Sequence, residues 1–314
     1  MKTAGRFASF ALVSVVALGA LATGGCSRNN IEAVNLAIEA DKVKSTNVDE
    51  AISKYEQATT LDPTNHRIMW KLALAYTKKE QWDKVASTCL KAQKVAPTFA
   101  NYYFQQGMAL ARQAAKAQGG GNWNDAKGPL EEAIQKDPGL WDAHFELAEV
   151  LLHLDDEQGA LREYQKAIEA KPDELAFYIP LADLYLRLGY IDEGEKVVRE
   201  GLSFGKEGDK FLFGLHSLLG QVYESRQPPK LDDALKEYEL AKRACGQCTE
   251  PGQQIAFFNL GAAYAQVSPP QTSQAMQNLQ AFQKMICKGA AAARYADQCS
   301  QAQQLASKMG GTLQ

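Results

Sequence analysis

Histidine is scarce and basic charge is not in excess, and those two shortages remove much chemistry before any fold is considered. The chain holds four histidines, His66, His144, His153 and His216, dispersed and never at a metal-ligand spacing. Lysine and arginine total 34 against 37 aspartates and glutamates, a formal net charge of −3. The lysines are interleaved with carboxylates as on a solvated surface, and no basic stripe or aromatic-plus-basic face marks a nucleic-acid partner. Gly119-Gly120-Gly121 follows no strand and precedes no Gly-Lys-Ser/Thr, so it is not a phosphate cradle. A nucleophile-plus-base signature is missing as well. So is a membrane span: the apolar stretch Phe7 to Ala22 is interrupted by Thr23, Gly24 and Gly25, short of the roughly 20 residues a span needs. These absences leave no cofactor, no metal and no small-molecule substrate to expect, and no enzyme.

What stands at the start is an export signal, with Lys2 and Arg6 ahead of that apolar stretch. The segment Leu21-Ala22-Thr23-Gly24-Gly25-Cys26-Ser27 resembles a bacterial lipobox, with Thr23 where Leu is commonest. The resemblance implies that Cys26 is lipidated and becomes the mature N-terminus, and that Ser27 directs the protein to the outer membrane of a two-membrane cell, facing the periplasm. Several acyl chains on one cysteine supply the double signal stable anchoring requires. Residues 1–25 are then a signal peptide and 26–31 a short linker. Loss of Lys2 and Arg6 moves the net charge from −3 to −5.

Proline recurs at Pro63, Pro97, Pro138 and Pro172, at intervals of 34, 41 and 34 residues. A period near 34 is that of a helix–turn–helix solenoid, the longer interval carrying an insertion around Gly119-Gly120-Gly121. Repeats open near Glu32, His66, Ala100, Trp141 and Leu175. Their first helices share apolar sets at i, i+1 and i+4, such as Leu72, Ala73 and Tyr76, and Leu147, Ala148 and Leu151. Their second helices alternate small and large residues, as in Ala51, Tyr55 and Ala58, then Ala160, Tyr164 and Ala167. Small residues let two helices approach and the large one fills the gap. With Leu181-Ala182-Asp183-Leu184-Tyr185 followed by Gly189-Tyr190, the chain resembles the tetratricopeptide-repeat family. Two further units open at Leu219-Gly220 and Leu260-Gly261, with turns about two residues longer that contain Pro228-Pro229 and Pro269-Pro270. The expected fold is all-α: a right-handed superhelical solenoid of about seven repeats over residues 32–289, closed by a capping helix and tail over 290–314.

The cysteines divide by position. Cys89 is a small buried hydrophobe on a second helix. Cys245, Cys248, Cys287 and Cys299 are disulfide candidates, since an exported protein meets an oxidising compartment. Thr249 after Cys248 excludes haem attachment. A zinc site and a thiol oxidoreductase, or cell-wall enzyme accessory, using Cys245 and Cys248 are the competing readings. Among the connectivities the two local pairs are favoured, and a bond from the Cys245 loop to Cys287 stays open.

The family resemblance also implies a groove lined by the fifth residue of each first helix: Trp70, Phe104, Phe145 and Ile179, then Ser217, then Phe258. Arg67, Arg112 and Arg187 flank this ladder, and aromatic anchors beside arginine suit a protein-binding hot spot. Packing of the same side chains against the neighbouring repeat is the competing reading. Leu36 and Ala40 fall where a carboxylate clamp of the family would carry Lys and Asn, which disfavours an acidic C-terminal peptide as ligand. The function expected is that of an envelope scaffold lipoprotein that helps assemble or localise a secretin, pilus, motility or secretion machine, resembling pilotin-like factors.

Overall fold

The structure is a computed structural model, and it describes residues 28–117, 120–250, 252–289 and 291–313. The signal peptide, the Cys26 lipidation site and Gly119 lie outside these residues. The described residues contain helices and no strand, and none of their helices is long and apolar enough to cross a membrane. The chain divides into two compact units between Ile68 and Met69.

The first unit holds one hairpin, α1 (Arg28–Val43) and α2 (Val48–Leu61). Ala33, Ala37 and Ala40 recur at helical spacing and are buried, as are Ala51, Tyr55 and Ala58 opposite them. The alanines let the axes close up, and Tyr55 fills the space between them and donates its hydroxyl to Asp41 at 2.8 Å. Asn47 caps α2 by accepting the Glu50 N–H, satisfying one of the free donors of its first turn.

α3 (His66–Lys78) crosses the unit boundary and leads into α4 (Trp82–Val95). The second unit continues with five hairpins in chain order. They are α5 (Ala100–Lys116) with α6 (Asn124–Lys136), α7 (Trp141–His153) with α8 (Glu157–Ala170), and α9 (Tyr178–Arg187) with α10 (Ile191–Phe204). α11 (Leu212–Glu224) then pairs with α12 (Leu231–Cys245), and α13 (Ile255–Gln266) with α14 (Thr272–Phe282). Within this unit each hairpin packs on the next. α15 (Ala296–Lys308) buries Ala302 and Ala306 against α13 and α14, covering the end that would otherwise expose apolar surface. The long third repeat absorbs its insertion partly by lengthening α5, which runs 17 residues against 13 for α7.

One position in each second helix anchors its hairpin: Cys89, Leu130, Tyr164, Val198, Tyr238 and Leu279 are all buried to 2% exposure or less. Burying a residue the size of Leu130 contributes roughly 1.5–3 kcal/mol. Where that residue is Leu130, Tyr238 or Leu279, the first helix meets it with Gly107, Gly220 or Gly261. A Cβ on Gly107 would stand 2.6 Å from Leu130 and one on Gly261 2.7 Å from Leu279.

Five of the turns inside the hairpins fall into two classes. After α3, α7 and α9 the chain closes with an N–H to C=O bond five residues back, Gln81 to Tyr76, Asp156 to Leu151 and Tyr190 to Tyr185. The residue before each donor, Glu80, Asp155 or Gly189, takes a positive φ, the left-handed stop that satisfies the last helical carbonyls. After α11 and α13 the bond reaches seven residues back, Lys230 to Tyr223 and Gln271 to Tyr264, around the proline pairs.

Candidate docking surface

The turn classes fix which residues of each first helix are equivalent. Tyr76, Leu151 and Tyr185 stand five residues before the residue that caps the second helix, whereas Tyr223 and Tyr264 stand seven before it. In the first hairpin the cap is Asn47, and the buried residue at one of those distances is Ala40, seven back; Lys42, five back, is exposed. The first hairpin closes otherwise, by the Asn47 N–H on the Val43 carbonyl four residues back, but its buried position stands seven before the cap, as in the long turns. Six residues before the closing position lie Trp70, Phe145, Ile179, Ser217 and Phe258, and in the first hairpin Val34. This corrects the register read from sequence for the first repeat alone, which opened that repeat near Glu32 with a turn of ordinary length and so put Leu36 and Ala40 at the clamp positions. Ala40 is wholly buried, and the face it was assigned to is formed by Val34 and Ile38.

Most of the ladder is engaged by the chain itself. Phe104 is 8% exposed and belongs to the main core. Phe145 is half-buried, its ring 4.9 Å from that of Phe177 and 5.7 Å from that of Tyr164. Trp70 stacks edge-on against Phe99 and Tyr102, and Phe258 lies 5.4 Å from Phe282. Ile179 is half-buried against the same core as Phe145, and Ser217 is buried with an unpartnered hydroxyl oxygen. The seam between repeats thus takes much of each side chain and leaves the rest at the surface.

α1 is different. Ile31, Val34 and Ile38 are 55%, 44% and 47% exposed, spaced three and four residues apart so that they form one stripe on the face opposite the buried alanines. Sequence reading passed over them; Ala33, Ala37 and Ala40 at spacings of four and three mark the buried face and would have located the stripe.

The flanking arginines separate by partner. Arg112 grips Glu146 with both terminal nitrogens, at 3.0 and 2.5 Å, tying the third repeat to the fourth. Burial pushes the Glu146 carboxyl up, and Arg112 opposes this. Arg187 pairs with Asp183 at 3.2 Å on the surface of α9, and Arg67 is exposed on α3. On α7, Asp142 is pushed up to about 6 by burial, against the pull of Lys171.

Cys245 is bonded to Cys248 and Cys287 to Cys299, with Cα separations of 4.8 and 5.8 Å. The second bond spans a π turn at Gln283–Cys287 and a 3-10 turn at Ala292–Tyr295, which bring the first turn of α15 back to α14. Cys89 is wholly buried and its thiol is pushed up to about 12 by burial. His144 is enclosed between Glu163, 2.6 Å from Nδ1, and the Pro138 carbonyl, 3.0 Å from Nε2. His216 meets Glu237 in the same manner at 2.8 Å, and His153 stacks on Trp123 with ring centroids 3.7 Å apart. Among the described residues no three His, Cys, Asp or Glu side chains are grouped as metal ligands.

Residues 112–174 match the family described as tetratricopeptide repeat. The human tetratricopeptide repeat protein 28 is 24% identical over 177 residues, 56% of this chain but only 7% of its own length. Among solved structures, the C-terminal part of a TPR repeat-containing protein from Cytophaga hutchinsonii covers 82% of this chain and 98% of its own, with a TM-score of 0.62 at 12% identity. PilF of Pseudomonas aeruginosa covers 68% of this chain and 92% of its own, with a TM-score of 0.53 at 17% identity. At such identities these likenesses speak for the fold alone.

Proposed function

Taking a stack of tetratricopeptide repeats as the premise, we propose that this chain is a non-enzymatic docking scaffold, held at a membrane by lipid on Cys26, whose first-helix faces bind a protein of the cell envelope. The observation that carries the reading is the open stripe of Ile31, Val34 and Ile38 on α1. Three large apolar side chains kept in water on one helix face cost stability unless a partner covers them. The partly exposed ladder residues Trp70, Phe145, Ile179 and Phe258, with Arg187, give the same kind of surface within the second unit, and Arg67 is exposed in the first. The anchored location, outer membrane and facing the periplasm, follows from the lipobox resemblance. It suits a factor that positions a secretin, pilus, motility or secretion machine.

The position of the Cys245–Cys248 pair favours a scaffold over a thiol oxidoreductase. Cys245 is the last residue of α12, where the negative end of the helix dipole opposes a thiolate. A redox pair gains from the opposite end of a helix.

A photo-crosslinking residue at position 34, used in intact cells, should capture one envelope protein. Val34→Asp with Ile38→Asp should abolish that capture while helical content stays unchanged. Capture undiminished by these changes would remove the docking reading, and palmitate label retained by Cys26→Ser would remove the anchor.

A further inference from the structure

Four buried or half-buried carboxylates of the second unit have a basic group beside them. Glu146 has Arg112, Glu163 has His144 and Lys166, Glu195 has Arg199 and Arg226, and Glu237 has His216. Glu224, the last residue of α11, has none, like Glu149 and Glu239, which also accept a tyrosine hydroxyl. One of its oxygens accepts the Tyr238 hydroxyl at 2.7 Å, and burial pushes its carboxyl up against that single hydrogen bond. Its other oxygen has no partner among the described residues.

Glu224 lines a cavity of about 250 Å³ between α11, α13 and α15. Four side-chain amides share it, Asn259 and Gln266 from α13 and Gln301 and Gln304 from α15. None of the four is hydrogen-bonded to another described residue. Phe258, held by Phe282 behind it, forms an apolar wall. Lys308 stands among the lining residues without pairing to Glu224. A cavity this size is below the range of about 300–1,000 Å³ typical for small-molecule sites and is suited to one long side chain.

We infer that this cavity receives an arginine side chain from the docked partner, its guanidinium on the free oxygen of Glu224 and among the amide oxygens, its methylenes along Phe258. A planar fork with five donors matches a carboxylate ringed by amide carbonyls. A lysine ammonium brings three donors and a tighter hydration shell. The inference rests on the docking reading, because Phe258 and Glu224 belong to first helices. Phe258 is the last member of the ladder.

The test is a titration of the full chain in mild detergent with acetyl-Gly-Arg-Gly-amide and with its citrulline counterpart, which has the same shape but no charge. Shifts of the Gln301 and Gln304 backbone amide resonances report binding. The arginine peptide should bind saturably and at least about tenfold more tightly than the citrulline peptide, a difference of 1.4 kcal/mol. Glu224→Gln, which keeps an acceptor for Tyr238, should abolish that preference, and Gln304→Leu on the exposed face of α15 should weaken the arginine peptide. Failure of the arginine peptide to bind, equal binding of the two peptides, or a preference surviving in Glu224→Gln overturns the inference. Putrescine binding more tightly than the arginine peptide would assign the site to a free amine instead and overturn it too. None of these titrations involves Val34 or Ile38, so loss of the docking reading and loss of the cavity assignment are told apart.

Discussion

His144 shows how a residue at a packing position carries a charge effect. Burial works against its protonated form, but the hydrogen bond to Glu163, the Pro138 carbonyl and the Glu163 charge together raise its pKa above the ordinary 6.5. Glu163 is lowered below 4.5, burial again opposing and His144 and Lys166 prevailing. The histidine's contribution to stability is complete below the unfolded imidazole value and is lost as pH rises through its folded value. The glutamate's is present above the unfolded carboxylate value and is lost as pH falls through its lowered one. Both act together between about pH 4.5 and 6.5. His144→Gln should therefore destabilise the protein more at pH 5.5 than at pH 8, read from urea midpoints. The comparison with wild type at each pH cancels the separate titration of Asp142, and an equal loss at both values would sink the assignment. Glycines give a second residue-scale test. A Cβ on Gly220 would enter the Tyr238 ring, so Gly220→Ala should cost about 1–3 kcal/mol by overpacking. Gly128, in α6, has open space beyond its chain neighbours, but Pro129 follows it and crowds a Cβ in helical backbone, offsetting the gain in helix propensity, so Gly128→Ala should change stability by less than about 0.5 kcal/mol. Calorimetry showing a larger loss at Gly128 than at Gly220 would contradict this packing. The packing place of His144 was legible from its repeat position. Its partner 19 residues on was not, because that pairing depends on how the turn folds.

Turns decide how far the elements could be read in advance. The alternation Ala160, Tyr164, Ala167, with Ala51, Tyr55, Ala58 and Ala234, Tyr238, Ala241, is a direct imprint of close helix contact, so the buried face of those second helices was legible in the sequence. First helices were legible where the turn had the common length or where a proline pair marked a longer one, as before α12 and α14. In the first hairpin the buried position stands two residues further from the cap than in the common turn, so the exposed apolar stripe holds Val34 and Ile38 where the proline period pointed to Leu36 and Ala40; the alanine spacing records this shift and the proline period does not. The short turn also predicts a gain. Asp155 holds a φ of 58° at the place where the next repeat has Gly189. Asp155→Gly should stabilise by about 0.5–1 kcal/mol, seen as a higher urea midpoint at unchanged slope. A lower midpoint would mean that the Asp155 side chain does more there than its backbone costs. At the other end, the Cys287–Cys299 bond closes a loop of sequence separation 12 and ties α15 to α14. Opening it with Cys287→Ser and Cys299→Ser should cost roughly 3 kcal/mol, concentrated in hydrogen-exchange protection of α15. Protection lost evenly along the second unit would show that the cap is not a local element.

Within the second unit each hairpin is covered by its neighbours, and stability there is close to a sum of hairpin terms and seams. A seam weakened enough should then divide the unit's unfolding, whereas the same loss inside one hairpin should only lower its midpoint. Phe177, in the turn before α9, is 3% exposed and sits 4.9 Å from Phe145 and 5.4 Å from Trp141 by ring centroid, joining the fourth and fifth repeats. Leu130 anchors the third hairpin from within, against Gly107 of its own partner helix. Phe177→Ala should cost about 3–5 kcal/mol and Leu130→Ala about 2–5 kcal/mol, so the two are matched in size and differ in place. Hydrogen exchange in rising urea should resolve the Phe177→Ala chain into two transitions, helices up to α8 separating from α9 onward, with a shallower denaturant slope. Leu130→Ala should keep one slope across that boundary. A single unchanged slope in both variants would mean that coupling extends past nearest neighbours, and the nearest-neighbour account of this unit would have to be given up.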